Sequence, residues 1–392
     1  MQQFLKDLSL STFTAGFVAV LVGFTSSVAI VFQAAQAFHA TPAQVVSWMW
    51  ALGLGMGLCS LVPSLWLRKP VMVAWSTPGA AVLATAGLSG SFSMGDAIGA
   101  FMVCAALITL VGVTGLFERA MNRIPMEIAT ALLAGVLARF GLDAFAAAQT
   151  ALPLVLVMLA TYLLARRIWP RYAVVLTLLA GIAWASANGQ MAWSALTLEM
   201  ARPEFTAPQF SWSALVSLAL PLFVVTMASQ NLPGVAVIRA TGYQLPVSGI
   251  LTMTGVVTLL LAPFGAFALN LSAITAAICM GPEAHPDPQR RYTAAVSCGA
   301  LYVVIGVFGA VVTGLLVAFP KELVVAIAGL ALLGSIGSGL STALRDEARR
   351  EPALITFLVA LSGVTVAGVG SAFWAVAAGS VALFVQQYMR RP

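Results

Sequence analysis

Residues 68–85 read RKPVMVAWSTPGAAVLAT, and the reading of this stretch decides the fold. It is apolar enough to lie in a membrane, yet it is built wrongly for a simple spanning helix. Pro70 to Trp75 is short and leans towards extended backbone. Ser76, Thr77, Pro78 and Gly79 then form a helix-start signal, with Ser or Thr as N-cap and Pro in the first turn. The expectation is an extended piece running into the membrane, then a half-helix whose N-terminus lies at mid-depth. Such a terminus carries unpaired N–H groups and the positive end of a dipole. Lipid cannot satisfy them, so they must face a protein-lined cavity or a ligand. Broken helices of this kind mark the sites of secondary transporters.

The rest of the chain fits a membrane setting. Of its 392 residues, 60% are hydrophobic and 8% charged, against about 25% charged in a soluble domain. A polytopic, all-α membrane protein is expected. The net charge of +6 does not indicate nucleic-acid binding, because the basic residues lie in short loops between apolar runs, where they orient the chain. Cys59, Cys104, Cys279 and Cys298 have apolar surroundings and no metal or redox spacing, so they read as small buried residues. Met1 to Ser11 is short and polar and leads into a full span, so no cleavable signal is expected.

Apolar runs lie at about 13–35, 43–66, 70–88, 96–117, 125–141, 150–165, 171–187, 213–236, 246–263, 266–281, 292–317, 322–341, 353–369 and 371–388, which makes fourteen segments. With the N-terminus inside, the inner segments hold 16 of the 19 basic residues, and only Arg139, Arg202 and Lys321 fall outside. The positive-inside rule is thus obeyed for an even number of spans with both termini cytoplasmic. The longest polar segment, Asn188 to Trp212, lies outside and reads as a connector between halves or as a lid.

That connector divides the chain into residues 1–190, a linker at 191–212, and residues 213–392, with seven spans on each side. An odd number per half puts the halves in opposite orientations, an inverted repeat. Thr25-Ser26-Ser27 in the first span and Ser229-Gln230-Asn231 in the eighth are matching polar clusters. The mate of the opening stretch is then Pro263 to Met280 (PFGAFALNLSAITAAICM), again an extended piece, with Ser272 as N-cap of a second half-helix. Segments three and ten are therefore read as part strand and part half-helix. Both half-helix starts point into one cavity.

No acid sits at the centre of a span, and there is no catalytic Ser/His/Asp set, metal-ligand cluster or Walker-type glycine loop. An enzyme, an ATP-driven pump and a bound cofactor or metal are all unsupported, and a channel lacks a filter-like repeat. A polar, neutral cavity with two helix dipoles suits a small anion or a neutral polar molecule. Phe24, Phe32, Trp75, Phe264 and Phe267 add apolar rings, so an aromatic carboxylate meets both features. Candidate substrate contacts are Ser26, Ser27, Trp75, Thr77, Pro78, Gly79, Gln230, Asn231, Asn270, Ser272 and Thr275. Gln230 and Asn231 are the sharpest pair, since two amides in an apolar span are expensive unless satisfied. Their bland reading is a hydrogen bond to a neighbouring helix or to broken backbone. Ser26 and Ser27 also read as small-residue packing, and Pro233-Gly234 as a kink or unwound turn. Glu283 and His285, in the inner loop after the second half-helix, are candidates for proton transfer or simply solvated. His39 reads as a solvated outer-loop residue.

The motifs TAGFVAVLVGFTSS, WSTPGAAVLATAG, LPLFVVTMASQNLPG and ITAAICMGPEAHPDPQRRY resemble the benzoate:proton symporter family (BenE) of bacterial inner membranes, over nearly the whole chain. The resemblance implies proton-coupled uptake of benzoate or a similar aromatic acid by a multi-pass inner-membrane protein, and it leaves a homodimer open. It also implies kinship with nucleobase transporters, whose fold has fourteen segments in two inverted sets of seven, with strands in segments three and ten. One departure matters. Nucleobase symporters of that fold place carboxylates on spans eight and ten, whereas Gln230-Asn231 hold the first place here and Asn270, Ser272 and Thr275 precede Glu283 in the second. Proton coupling therefore stays open between Glu283, His285 and the substrate's own carboxyl group. A carrier of nucleobases or other neutral solutes and an uncoupled anion facilitator or channel are the competing readings.

Overall fold

A computed structural model describes residues 2–25, 27–87, 92–191, 200–308, 319–364, 366 and 371–388. Among them, the helices of seven residues or more are α1 (Leu10–Thr25), α2 (Val28–Ala37), α3 (Pro42–Leu67), α4 (Thr77–Gly87), α5 (Met94–Thr114), α6 (Met126–Ala146), α7 (Ala148–Ile168), α8 (Ala173–Ala187), α9 (Trp212–Ala240), α10 (Val247–Leu261), α11 (Ile274–Met280), α12 (Tyr292–Val307), α13 (Lys321–Ala343), α14 (Arg350–Ser362) and α15 (Ser371–Tyr388). Two short strands, β1 (Val73–Ala74) and β2 (Asn270–Leu271), complete the framework. Seven of the described helices are long and apolar enough to cross a membrane: α3, α5, α6, α7, α9, α10 with its 3-10 extension to Phe264, and α13. The protein is a mostly helical, polytopic membrane protein.

Local chemistry sets several boundaries. Thr41 and Gln44 form a reciprocal capping box at the start of α3, and Ser93 and Asp96 form another at the start of α5. Helix α3 stops at Arg68, which adopts left-handed backbone (φ 50°), and Pro70 follows without an N–H to continue the helix. The apolar run at 13–35 reads as one span, but the backbone breaks between α1 and α2. Ser27, at the break, turns its hydroxyl back to the Gly23 carbonyl at 3.0 Å, a bond with which serine competes against the helical ladder.

Helix α9 changes register twice. Residues 215–219 and 227–231 are π-helical. Each segment lies just ahead of a proline, Pro221 and Pro233. A proline donates no N–H to the turn before it, and the wider π turn accommodates that loss.

The two halves of the chain interleave rather than forming separate bodies. Helix α3 packs along α12, α5 along α10, and α6 along α13. A Cβ on Gly53 would lie 2.7 Å from the Gly306 backbone, so α3 and α12 meet through small residues, as close membrane helices do. Two packing groups result. One gathers α1–α5 and α9–α12, the other α6–α8 and α13–α15, with the second half of α9 and helix α1 bridging them.

Of the long connector, residues 192–199 lie outside the described residues. The part at 200–211 is strapped across the first group. Ala201 N–H bonds the Val307 carbonyl at 3.0 Å, Thr206 N–H that of Pro263 at 2.8 Å, and Gln209 N–H that of Gly95 at 2.9 Å. Glu204 N–H bonds Ser47 Oγ at 2.9 Å.

Candidate functional site

Residues 70–74 run extended because side chains of α3 replace the helical hydrogen bonds they lack. Ser64 Oγ takes the Val71 N–H at 2.9 Å and gives to its carbonyl at 3.2 Å. One turn earlier, Ser60 Oγ takes the Val73 N–H at 3.0 Å. Strand β1 pairs antiparallel with β2, setting Val73 opposite Leu271 and Ala74 opposite Asn270. Ser272 N–H extends the ribbon to the Met72 carbonyl at 3.0 Å. Beyond it, Thr258 Oγ1 of α10 receives the Leu269 N–H at 3.3 Å. Polar side chains thus satisfy a two-stranded ribbon buried in an apolar bundle, as backbone away from water requires. Ser60, Ser64 and Thr258 are functional in this sense and escaped the sequence reading. Their signal was the Ser60/Ser64 spacing of one helical turn facing a strand.

A helix starts at the end of each strand. At α4, Ser76 Oγ caps the Gly79 N–H at 3.1 Å and receives the Thr226 hydroxyl of α9 at 2.9 Å. A Cβ on Gly79 would lie 2.6 Å from Leu222 of α9. Thr77 and Pro78 are half-buried at this start. At α11 the sequence reading assigns the cap to Ser272, but the residue before the helix is Ala273, already in helical backbone, with no side-chain cap. The Ser272 hydroxyl instead receives that of Thr275 at 2.7 Å. Both side chains are buried.

The two amides of α9 divide. Asn231 is fully buried; its Oδ1 accepts the Leu271 N–H of β2 at 2.9 Å, and its Nδ2 points at Met227 Sδ at 3.3 Å. Gln230 is half-buried and makes no side-chain hydrogen bond among the described residues. It stands one helical turn beyond Thr226, the residue that touches Ser76. Asn270, opposite Ala74, donates its Nδ2 to the Ala268 carbonyl at 3.0 Å, and its buried Oδ1 has no partner among the described residues.

Trp75 is anchored from the end of α1 and the break that follows it. Its Nε1 donates to Ser27 Oγ at 2.9 Å, and its ring meets Phe24 at 5.5 Å between centroids. Ser26 lies outside the described residues. Trp75, Ser27, Gly79, Asn231, Asn270, Ser272 and Thr275 are therefore gathered around the strand crossing, each buried. Thr77, Pro78 and Gln230 are the three of the set with part of their surface open.

Glu283 and His285 stand apart from that cluster, in the loop 281–291 that follows α11. Arg291, itself buried, binds this loop to the helix through three carbonyls: Met280 at 2.8 Å, His285 at 2.7 Å and Pro286 at 3.3 Å. A cation at the last carbonyl of a helix is also where the dipole favours it. His285 Nδ1 accepts the Asp287 N–H at 3.0 Å, which ties the ring into the turn. The Glu283 side chain is 10% exposed and pairs with Arg166 of α7 at 3.4 Å. Burial pushes its carboxyl above the usual carboxylate range, against the opposing pulls of its own backbone N–H, Arg166 and Arg291.

Comparison with known proteins adds identity to this geometry. Residues 6–385 match the family model described as "Benzoate membrane transport protein". The chain is 47% identical over 374 residues to "Inner membrane protein YdcO" of Escherichia coli (strain K12), covering 95% of each chain. It is 40% identical over 380 residues to "Benzoate membrane transport protein" of Acinetobacter baylyi, covering 97% of this chain and 96% of that one. In fold it is similar to the structure described as "The overall structure of SLC26A9", with a TM-score of 0.51 at 11% identity over 98% of this chain and 66% of that one. The protein is a transporter and not an enzyme, and by these matches the chain belongs to the benzoate membrane transport protein (BenE) family.

Proposed function

We propose that the protein is a secondary carrier that imports benzoate or a similar aromatic carboxylate together with protons across the bacterial inner membrane, both termini facing the cytoplasm. The observation that carries the reading is the match over nearly the whole chain to a relative named for benzoate transport. The wider proposal is fourteen segments in two inverted sets of seven, divided at the 191–212 connector. The antiparallel pairing of Val73 with Leu271 supports it, since a two-fold axis in the membrane plane relates equivalent strands in opposite directions.

The substrate lies between the starts of α4 and α11. Its carboxylate meets the Thr77 hydroxyl, the first-turn N–H of α4 and the Gln230 amide. Gln230 supports this role because it is half-buried, unbonded among the described residues and one turn from the Thr226–Ser76 contact. Trp75 and Phe24 supply the apolar wall for the ring. Pro78 and Gly79 let the chain approach closely, and Ser27, Asn231, Ser272 and Thr275 hold the site's shape. Asn270 Oδ1, a buried acceptor with no partner among the described residues, is open to a donor group.

Uptake of labelled benzoate into proteoliposomes tests the reading. Accumulation above equilibrium only under an inward proton gradient is the expected result. Equilibration independent of the gradient would make the protein an uncoupled facilitator. Uracil flux without benzoate flux would make it a neutral-solute carrier.

A further inference from the structure

The loop after α11 holds a carboxylate that the substrate site leaves unused. Glu283 Oε1 pairs with Arg166 at 3.4 Å, while Oε2 is buried with no partner among the described residues. The carboxylate sits against Gly334 of α13, so closely that a Cβ there would collide with it. It therefore fills a notch that only glycine leaves open. The notch belongs to the packing group of α6–α8 and α13–α15, whereas the 281–291 loop is bound by Arg291 to α11 of the other group. One acidic side chain thus bridges the two groups at the end of the second short helix.

We propose that Glu283 is the proton-binding residue of the carrier. On this proposal the proton-loaded, neutral form of the carboxyl group is the one that rests in the notch at Gly334. When the 281–291 loop separates from α7 and α13, water reaches the group, its O–H bond breaks, the proton passes to water and the electron pair stays on the carboxylate. This inference rests on the proton-coupled reading above.

The physical grounds are the orphaned oxygen and the surroundings. An unpartnered oxygen out of water is far more costly as part of a carboxylate than as part of a neutral acid. The titratable groups that face it are Arg166 and Tyr162 of α7 and Arg291 of its own loop, while α13 presents Gly334. Arg166 is half-exposed, at 48%, and bonds Tyr162 as well, so it offsets the burial only in part. Linkage gives the direction: protons bind more tightly to the conformation with the raised proton affinity, so low pH favours the seated loop and rising pH favours its release. His285 is less suited, since its Nδ1 is engaged by the Asp287 N–H.

The test uses the full chain in proteoliposomes and two readouts. Benzoate counterflow without a proton gradient measures carriage, and accumulation under an inward proton gradient measures coupling. Absence of counterflow in the wild type would overturn the substrate reading and not this one. With counterflow present, Glu283→Gln is expected to keep exchanging benzoate but to lose gradient-driven accumulation by about tenfold or more, within the usual range of coupling effects. Accumulation equal to wild type would overturn the proposal. Gly334→Ala gives an independent arm, because it unseats the acid while leaving it chemically intact. Hydrogen–deuterium exchange of residues 281–291, corrected for intrinsic rate, should show protection in the wild type that falls as pH rises. In Gly334→Ala that fall should move towards the ordinary carboxylate range, and an identical pH profile in the two proteins would overturn the assignment.

Discussion

The side-chain oxygen of Asn231 accepts the backbone N–H of Leu271 at 2.9 Å, and this bond ties the π-helical turn of α9 to strand β2. Its neighbour Gln230 has no such tie among the described residues. Two adjacent amides that look alike in the sequence thus have different work. One completes the ribbon, and the other leaves its amide half-buried and unbonded among the described residues.

That division is measurable. Asn231→Ala leaves the Leu271 N–H buried and unpaired, at a cost of about 1–3 kcal/mol, so it should lower the melting temperature in detergent. Gln230→Ala should leave the melting temperature near wild type and weaken benzoate binding. Equal melting losses in both variants would abolish the distinction.

The approach of α9 to β2 predicts a second effect. A Cβ on Gly234 would lie 2.6 Å from the Leu271 carbonyl oxygen, which is backbone and cannot swing aside. Gly234→Ala should destabilise the protein by about 1–3 kcal/mol, the usual range for overpacking. A denaturation midpoint unchanged from wild type would contradict the close contact.

Trp75 and Ser27 form a pair whose coupling can be isolated. Trp75→Phe and Ser27→Ala each remove the 2.9 Å indole hydrogen bond. In a double-mutant cycle the second substitution should add less than the first, with a coupling of about 0.5–1.5 kcal/mol in stability. Strict additivity would mean that the bond contributes nothing.

Stability should also depend on pH through Glu283. Its carboxyl is held above the usual range in the folded protein, chiefly by burial. A group with a raised folded pKa contributes stability that is full below its unfolded pKa and lost as pH rises through the folded value. Thermal stability of the wild type should therefore fall as pH climbs from the ordinary carboxylate range through that raised value. Glu283→Gln should flatten this part of the profile, and an unchanged slope would show that other groups set it.

Much of the class was legible because it depends on local properties. Apolar run lengths gave helix bounds close to those of α3, α5, α7, α10 and α13, since spanning length is a property of one segment. The Ser76 cap was legible for the same reason: it needs only Ser76 and the Gly79 N–H three residues on. Local patterns do not show the contacts that other elements make at the two breaks. Ser27 receives the Trp75 indole N–H, and the Ser272 N–H pairs with the Met72 carbonyl.

What the sequence by itself determined was the membrane class, the family and the list of polar residues placed where lipid cannot serve them. The tertiary structure alone decided the partner of each. Val73 meets Leu271, Asn231 meets the Leu271 N–H some 40 residues away, and Glu283 meets Arg166 117 residues away, beside Gly334. The reason is physical. A buried polar group must be satisfied by something, which composition and spacing can announce. Which group satisfies it depends on the packing of helices distant in the chain, and no local pattern encodes that choice.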